Sequence, residues 1–497
     1  MNQLFQVGPV QVRYQSGALR TLTLHGTEVL RAIYIAVRDQ YWQTASLTIS
    51  DEELTQTADS FRLSYAWATD DLGLHLAGTV VFTGTADGVI SLEFFAESLA
   101  EQAINRVGIC VLHPLAGVTG QPYRVTSPLG QTTEGHFSHH ISPHQPVFDI
   151  QTLAWQPAGG PALQLVFGGD VFEMEDQRNW TDASFKTYST VPGRPLPYTL
   201  RPHEAIRQTV AFGPVAPGTW LAPLPVPHPV VAPAPAGAAP LQLGLGQHAG
   251  GVPLLPTQTD QLRALPLTHL RADVLLTTPD WPARLTNALA DARALGIALE
   301  LALFFGENPR AEFQLVQHHI INVPVRIHSV LLFDTATLRT SDPLLAELLP
   351  ILRAEWPGTL VGGGTDTAFA DLNRHPFAYH LVDFVVYPAN PQVHATDDLT
   401  ITENLNGLLP TVQTARWLSG GKPVHISPLT FAPRYPPVTE SIGQRLAPVA
   451  DARLDTPFGH EWLRQSLAAL TAAGVASVTL GEAHGPRAVP VSALTRL

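Results

Sequence analysis

The stretch ARLTNALADARALGIALELALFF, residues 283–305, decides how the second half of this chain folds. Its first part, from Ala283 to Leu295, has the composition and spacing of a helix. The run that follows, Ile297-Ala-Leu-Glu-Leu-Ala-Leu-Phe-Phe, is short, apolar and typical of a buried strand. Alternation of helix and strand on this scale predicts parallel βα units.

The same alternation continues through residues 241–497. Eight segments are predicted as strands, and helical segments such as Leu344 to Trp356 and Glu461 to Ala473 lie between them. Eight such units over this length predict a (β/α)8 TIM barrel. A doubly wound open sheet is the alternative, but no Gly-x-Gly-x-x-Gly motif opens a helix as a dinucleotide site would require. The predicted strands begin at Leu241, Ala272, Ile297, Val325, Leu360, Phe384, Pro423 and Ala476.

Residues 1–213 have a different sequence pattern. Short alternating runs such as Phe61-Arg-Leu-Ser-Tyr recur between Gly, Pro, Asp and Asn residues, which predicts an N-terminal antiparallel β-sandwich. Residues 214–240 contain nine prolines and seven alanines and are predicted to be an extended linker. The chain is therefore expected to have a sandwich domain (1–213), a linker (214–240) and a barrel domain (241–497).

Composition and net charge limit the kinds of molecule that the protein is expected to bind. The net charge is −13 with no basic run, so neither nucleic acid nor an anionic membrane surface is an expected partner. No stretch is long and apolar enough for a membrane span. The first residues lack the pattern of a secretory signal, and the single cysteine, Cys110, lies in an apolar strand. We expect a cytoplasmic protein; its oligomeric state is left open.

One segment, Phe172 to Tyr188, concentrates charge in a chain that is only 14% charged. Six of its 17 residues are charged, and Phe172, Trp180 and Phe185 are interleaved with them. Neither helical nor alternating periodicity fits the segment cleanly. Charges of both signs among aromatic rings favour an ordered polar network, either as part of a binding site or as a brace between elements.

This segment resembles the signature of the D-apionate lactonase family, bacterial enzymes of apiose catabolism. The resemblance covers nearly the whole chain and implies a hydrolase acting on D-apionolactone or a related branched aldonolactone. We expect no cofactor. Further segments that resemble the family are Glu28-Val-Leu-Arg-Ala-Ile-Tyr, Val37-Arg-Asp-Gln-Tyr-Trp, Asn105-Arg-Val-Gly, Pro143-His-Gln-Pro, Gly364-Thr-Asp, Asp371-Leu-Asn-Arg, Pro391-Gln-Val-His-Ala-Thr-Asp, Ser427-Pro-Leu-Thr and Pro433-Arg.

Candidate site residues follow from the strand count, because the residues just past each barrel strand line the active site. His394 with Asp397 is predicted as a base oriented by a carboxylate, and Glu482 as an acid or substrate anchor. Arg374 is predicted as a donor to the oxyanion or the sugar hydroxyls, or as a brace of its loop through an ion pair with Asp366. The charged segment is predicted to close the pocket. The candidates for substrate binding are Asp366, Asn373, Gln392, Glu175, Asp176, Arg178, Asn179, Trp180, Lys186, Glu307 and Asp334.

Two other functions are compatible with these residues. A glycoside hydrolase would need two carboxylates across the scissile bond, and Asp397 with Glu482 could form an inverting pair. A non-catalytic carbohydrate-binding protein is the third possibility. A histidine cluster, His136 to His144, lacks a carboxylate or cysteine at ligand spacing, so we expect no metal.

Overall fold

The computed structural model describes residues 2–190, 195–215, 240–321, 323–435 and 450–495. The chain divides into two compact units. The first comprises Met1–Gln177 and Ala183–Val230, and the second comprises Arg178–Asp182 and Val231–Leu497. Nearly all of the predicted linker, residues 216–239, lies outside the described residues.

The first unit consists of two antiparallel β-sheets. One sheet has the order β1-β2-β3-β4-β9-β16-β15-β12 with β17 added beside β9, and the other has the order β11-β10-β13-β14-β18-β8-β7-β6-β5. The strands are β1 Asn2–Val7, β2 Val10–Gln15, β3 Ala18–Leu24, β4 Thr27–Asp39, β5 Thr48–Gln56, β6 Ser60–Thr69, β7 Leu76–Thr85, β8 Ile90–Ser98, β9 Gln102–Pro114, β10 Pro122–Thr126, β11 Thr132–His136, β12 Val147–Ile150, β13 Thr152–Trp155, β14 Leu163–Gly168, β15 Val171–Asp176, β16 Ser184–Thr190, β17 Tyr198–Leu200 and β18 Ala205–Pro214.

The two sheets bury their apolar faces in one core. In β6, Phe61, Leu63, Tyr65 and Trp67 occupy every second position and are all buried, as the pleat of a strand with one covered face requires. They join one cluster with residues of the other sheet, among them Tyr14. The predicted antiparallel sandwich is confirmed.

The charged segment Phe172 to Tyr188 folds as the hairpin of β15 and β16. Glu175 pairs with Lys186 across the two strands, and Asp176 pairs with Phe185. Every side chain from Ser184 to Ser189 is buried, so both faces of β16 are covered and the sequence shows no simple alternation. This explains why no period could be assigned from sequence.

The second unit is a closed barrel of eight parallel strands, because the last strand pairs with the first. This confirms the predicted (β/α)8 fold, with each strand beginning within a few residues of its predicted start. The strands are β19 Gln242–Gly246, β20 His269–Leu275, β21 Ala298–Phe305, β22 Ile327–Asp334, β23 Leu360–Gly364, β24 Phe384–Ala389, β25 Val424–Leu429 and β26 Ser477–Glu482.

Helices follow the barrel strands in the expected places. Helix α2 has Pro282 in its first turn, where no N–H is needed, and ends at Gly296, whose φ of 73° suits a left-handed cap. The helices are α1 Pro256–Arg263, α2 Trp281–Leu295, α3 Pro309–Ile320, α4 Asp342–Glu355, α5 Phe369–Arg374, α6 Asp398–Glu403, α7 Leu408–Leu418, α8 Pro457–Ala472 and α9 Val491–Leu494. None of the helices in the described part of the chain has the length and apolar composition needed to cross a membrane.

Candidate active site

A cavity of about 970 Å³ opens at the carboxyl ends of the barrel strands. Its lining includes His248 after β19, Asp273 in β20, Arg434 in the loop after β25, and Glu482 at the end of β26. Cavities of this size accommodate small molecules, and this face of a TIM barrel is where active sites lie. The cavity is therefore the candidate active site.

Two arginines and two aspartates form an ion-pair network on one side of the cavity. Arg271 donates to Asp273 across 2.9 Å and also to Asp366. Arg434 donates to Asp366 across 2.7 Å and also to Asp273. The hydroxyl of Tyr435 donates to the second oxygen of Asp366 at 2.5 Å. Asp366 and Arg271 are buried, so the ion pair between them is screened little by salt.

Both arginines are held in their charged form. Burial lowers the pKa of the Arg434 guanidinium, but the negative charges of Asp366 and Asp273 outweigh it and raise that pKa well above its ordinary value. For Arg271, burial acts against Asp273 and Asp366 in the same way, and the pKa is again raised. The cavity therefore has fixed cationic donors whose directions are set by two carboxylates.

Beneath this network lies a buried carboxylate, Glu300 of β21. It accepts hydrogen bonds from Ser427 at 2.5 Å and from Ser329 at 3.1 Å. Burial raises the pKa of Glu300, but His269 and Arg271 outweigh it and the pKa lies below its ordinary value. The Ser427 hydroxyl is directed to Glu300, so this arrangement supports the barrel interior rather than presenting a nucleophile to the cavity.

Glu482 and His248 lie near each other on another side of the cavity, beside Gly485. Arg487 donates to Oε1 of Glu482 at 2.8 Å, whereas Oε2 has no hydrogen-bond partner among the residues that the structure describes. Nδ1 of His248 accepts the backbone N–H of Gly250 at 2.9 Å. An acceptor nitrogen carries no proton, so His248 is neutral and has its proton on Nε2.

The surroundings of His248 favour this neutral form. Burial is the largest influence and lowers the pKa of the imidazole. The Glu482 carboxylate acts in the opposite direction, and the nearby His484, Arg487 and Arg284 lower the pKa further. The net shift is downward, so the neutral imidazole persists to lower pH than in an ordinary histidine.

Gly485 allows His248 and Glu482 to approach one place. Its φ is +99°, and a Cβ on it would lie 2.8 Å from Nε2 of His248 and 3.4 Å from Oε2 of Glu482. A larger residue would be strained by its backbone, and its Cβ would lie only 2.4 Å from Cδ2 of the His248 ring. A donor and an acceptor therefore lie near each other beside Gly485, which lines the cavity with both residues.

Comparison with known proteins agrees with this architecture. The family described as "D-apionate lactonase, N-terminal domain" matches residues 1–215, and "D-apionate lactonase, TIM barrel domain" matches residues 243–493. The chain belongs to the D-apionate lactonase family. A curated relative in this family, the D-apionate lactonase of Brucella anthropi, is 28% identical over 510 residues, covering 97% of this chain and 82% of the relative.

Similar solved structures are more distant. A glycoside hydrolase family 5 mannosidase from Rhizomucor miehei is 10% identical, with a TM-score of 0.34, covering 49% of this chain and 81% of that one. A galactose mutarotase-like protein from Lactobacillus casei is 9% identical, with a TM-score of 0.33, covering 43% of this chain and 99% of that one. These likenesses are too weak to indicate a function.

The structure brings only part of the predicted site to the cavity. Glu482 lines it, and Asp366 bonds to Arg434, which also lines it. His394, Asp397 and Arg374 do not line it.

The structure gives His394 another carboxylate partner, Asp182, and the predicted pairing of His394 with Asp397 stays a prediction. Nδ1 of His394 lies 2.6 Å from Oδ2 of Asp182, and both belong to the second unit. Asp397 instead precedes helix α6 and accepts the Thr400 N–H at 3.0 Å, as an N-cap residue does. Spacing along a loop does not fix which way two side chains point, so it did not identify the partner of His394.

Several predicted residues form a separate cluster within the second unit. The Arg374 guanidinium lies 5.3 Å from the centre of the Trp180 ring, whose edge meets the His394 ring at 6.1 Å. Asn373 donates to Asn179 across 2.9 Å. Cation–π and amide contacts of this kind hold these side chains in place. None of these residues lines the 970 Å³ cavity.

The remaining candidates of the second unit are not among the residues that line the cavity; they are Arg178, Glu307, Asp334 and Gln392. Glu175 and Lys186 form an ion pair of 2.8 Å within the first unit, and Asp176 accepts the Ser142 N–H at 3.0 Å. Gln392 donates to the carbonyl of Phe431, Asp334 accepts the N–H of Ala336 in a turn, Glu307 is exposed and Arg178 is buried. Closure of the pocket by the segment Phe172 to Tyr188 stays a prediction.

Sequence reasoning missed Arg271, Asp273, Arg434 and Tyr435. Arg271 and Asp273 stand two apart in the strand His269–Leu275, so they share a face, but the predicted strand began at Ala272. Two charges at alternate positions of an apolar strand were the available signal. For the histidine cluster, the described residues contain no group of three or more His, Cys, Asp or Glu arranged to hold a metal.

Proposed function

We propose that this protein is a sugar-lactone hydrolase that opens D-apionolactone, or a closely related branched aldonolactone, to the aldonate. The observation that carries the proposal is the charged cavity at the barrel mouth of a chain that belongs to the D-apionate lactonase family. A TIM barrel alone would not indicate the reaction, since many chemistries share this fold.

The cavity suits a neutral polyhydroxylated ring. Its volume of about 970 Å³ exceeds that of one sugar-sized molecule and leaves room for water. Partly exposed Asp273 offers an acceptor for hydroxyl groups, and partly exposed Arg434 offers donors for a carbonyl or hydroxyl oxygen. Because these arginines are neutralised by Asp273 and Asp366, the site has no surplus positive charge to retain the anionic product.

The glycosidase alternative is less well supported by the arrangement. It would use Asp397 with Glu482, yet Asp397 caps helix α6 and does not line the cavity that Glu482 lines. An inverting pair requires both carboxylates to flank the same bond, about 6.5–9.5 Å apart.

The test is an assay of the purified chain on a panel of aldonolactones and aryl glycosides, measured as acid release and phenolate release. We expect acid release from D-apionolactone or a close analogue and no phenolate release from the aryl glycosides. Arg434→Met should reduce kcat/KM by at least about tenfold, since a charged donor contributes more than 1.4 kcal/mol. Arg353→Met, at an exposed ion pair on α4, is the matched control. Phenolate release without acid release from any lactone would overturn the proposal.

A further inference from the structure

We propose that Glu482 carries the proton in this hydrolysis and that the Nε2–H of neutral His248 stabilises the negative charge that develops on the lactone carbonyl oxygen. This inference rests on the proposed lactonase function and assigns the reacting groups within the same cavity.

One carboxylate oxygen of Glu482, Oε2, lacks a hydrogen-bond partner among the described residues. The residue is only 7% exposed, and Arg487 holds Oε1 at 2.8 Å. Within the described residues, Oε2 is buried and makes no hydrogen bond. Leaving a buried carboxylate oxygen unbonded costs free energy, so such an atom points to a ligand or water that completes it. The Arg487 contact fixes the carboxylate, and Oε2 lies 3.4 Å from the position that a Cβ on Gly485 would occupy in the cavity lining.

His248 is held in the tautomer that has its proton on Nε2. The Gly250 N–H occupies Nδ1, which leaves the proton on Nε2 as the only donor of the ring. A neutral imidazole does not readily give up this proton, so it serves as a hydrogen-bond donor rather than as an acid. Donors placed where negative charge develops are among the largest contributions to acyl-transfer catalysis.

Gly485 places the two groups together. Nε2 of His248 and Oε2 of Glu482 both lie within 3.4 Å of the point that a Cβ on Gly485 would occupy. A donor and a base on neighbouring side chains of the cavity lining match the two needs of lactone attack, which are polarisation of the carbonyl and deprotonation of water.

Water, Glu482 and His248 account for every bond and proton that changes in the hydrolysis. A water molecule attacks the lactone carbonyl carbon and transfers one proton to Oε2 of Glu482, while the carbonyl oxygen takes up negative charge next to Nε2–H of His248. The tetrahedral adduct then collapses, the bond from the acyl carbon to the ring oxygen breaks, and Glu482 returns its proton to that leaving oxygen. The product is the open hydroxy acid, which loses its carboxyl proton to solvent, and both residues regain their starting state.

The experiment compares steady-state hydrolysis of D-apionolactone by the wild type and by Glu482→Gln, which keeps the shape and a hydrogen-bonding oxygen for Arg487. We expect kcat to fall by about 100-fold or more, with KM changed by less than about fivefold, as for loss of a general base. Glu355→Gln, an exposed carboxylate on α4, is the control and should keep wild-type kinetics. Formate should restore part of the activity of Glu482→Ala, a readout that a merely structural role would not give.

His248 is tested in parallel. His248→Ala should lose about 100-fold or more in kcat, the range for one oxyanion donor. His248→Gln retains an N–H donor and should recover part of that loss, with exposed His380→Gln as control. A folded Glu482→Gln that stays within about threefold of the wild type, or Glu482→Ala without formate rescue, overturns this inference while leaving the lactonase proposal standing. A wild type that hydrolyses no lactone overturns both.

Discussion

Arg434 donates a hydrogen bond to Asp366 across 2.7 Å, and the same carboxylate oxygen also accepts from Arg271. One buried carboxylate therefore holds two guanidinium groups that come from different parts of the barrel. Asp273 completes the set by accepting from both arginines. In such a shared network each charge is compensated only while all the others are present.

Asp366→Asn should consequently destabilise the barrel severely. The substitution leaves Arg271 buried with less compensating charge, and breaking a buried pair in this way costs about 3–5 kcal/mol. Asp383→Asn removes the carboxylate of a partly exposed pair with Arg353, keeps an oxygen for the Val361 N–H, and should cost only about 1 kcal/mol. Thermal and urea unfolding of both variants measure the difference. Equal stability losses in the two would show that the buried network is not cooperative.

The pH dependence of activity tests the neutral state of His248. Burial lowers the pKa of His248, Glu482 partly opposes this, and His484, Arg487 and Arg284 lower the pKa further. Because the neutral form is the active one, lactone hydrolysis should be lost only as the pH falls through this depressed pKa. We expect the acid limb of kcat/KM to be centred below 6.5, the ordinary histidine value. An acid limb centred above 6.5 would contradict the assignment.

The stability of the barrel should also depend on pH through His425. This side chain of β25 is fully enclosed and stacks on Phe384 with ring centres 3.7 Å apart. Burial lowers the pKa of His425 to about 3. The unfolded chain takes up a proton near pH 6.5 and the folded one does not, so the stabilisation present above 6.5 is lost progressively as the pH falls towards 3.

The loss corresponds to about 1.4 kcal/mol for each pH unit below the unfolded value. His425→Phe, which can keep the stacking, should therefore show a smaller drop in Tm between pH 7.5 and pH 5 than the wild type. Exposed His380→Gln should retain the wild-type slope. Parallel Tm–pH curves for wild type and His425→Phe would refute this account.

Asp397 is expected to act through helix α6. Its carboxylate accepts the Thr400 N–H at 3.0 Å and the Thr400 hydroxyl at 2.7 Å. Asp397→Ala should cost about 1 kcal/mol of stability, whereas Asp397→Asn keeps an acceptor oxygen and should cost much less. Activity measured on folded protein separates this role from catalysis. A normally stable Asp397→Asn that has lost hydrolysis would restore Asp397 to the reaction.

The barrel could be predicted from sequence because its signals are local. Each βα unit is encoded within some thirty residues by a short apolar run and a helical segment. The stretch at 283–305 has both, and the observed elements are Trp281–Leu295 and Ala298–Phe305. Glu482 could also be predicted as a site residue from the sequence, since a carboxylate at the end of the last barrel strand has to lie at the mouth.

The contacts of the site could not be predicted, because they join distant parts of the chain. The partner of His394 is Asp182, 212 residues away, and Arg271 reaches Asp366 across 95 residues. Local spacing favoured Asp397, which is three residues from His394 but serves as a helix cap. Only the three-dimensional arrangement distinguishes a neighbour in sequence from a partner in space.

The central claim is that the lactone is hydrolysed in the cavity at the barrel mouth, and a variant that fills this cavity tests it most directly. Ala432 lines the cavity, whereas Ala354 is exposed on α4. We predict that Ala432→Trp lowers kcat/KM for D-apionolactone by about 100-fold or more while Ala354→Trp stays near the wild type, since loss of near-attack geometry alone costs about this much. A folded Ala432→Trp with wild-type hydrolysis would contradict the account.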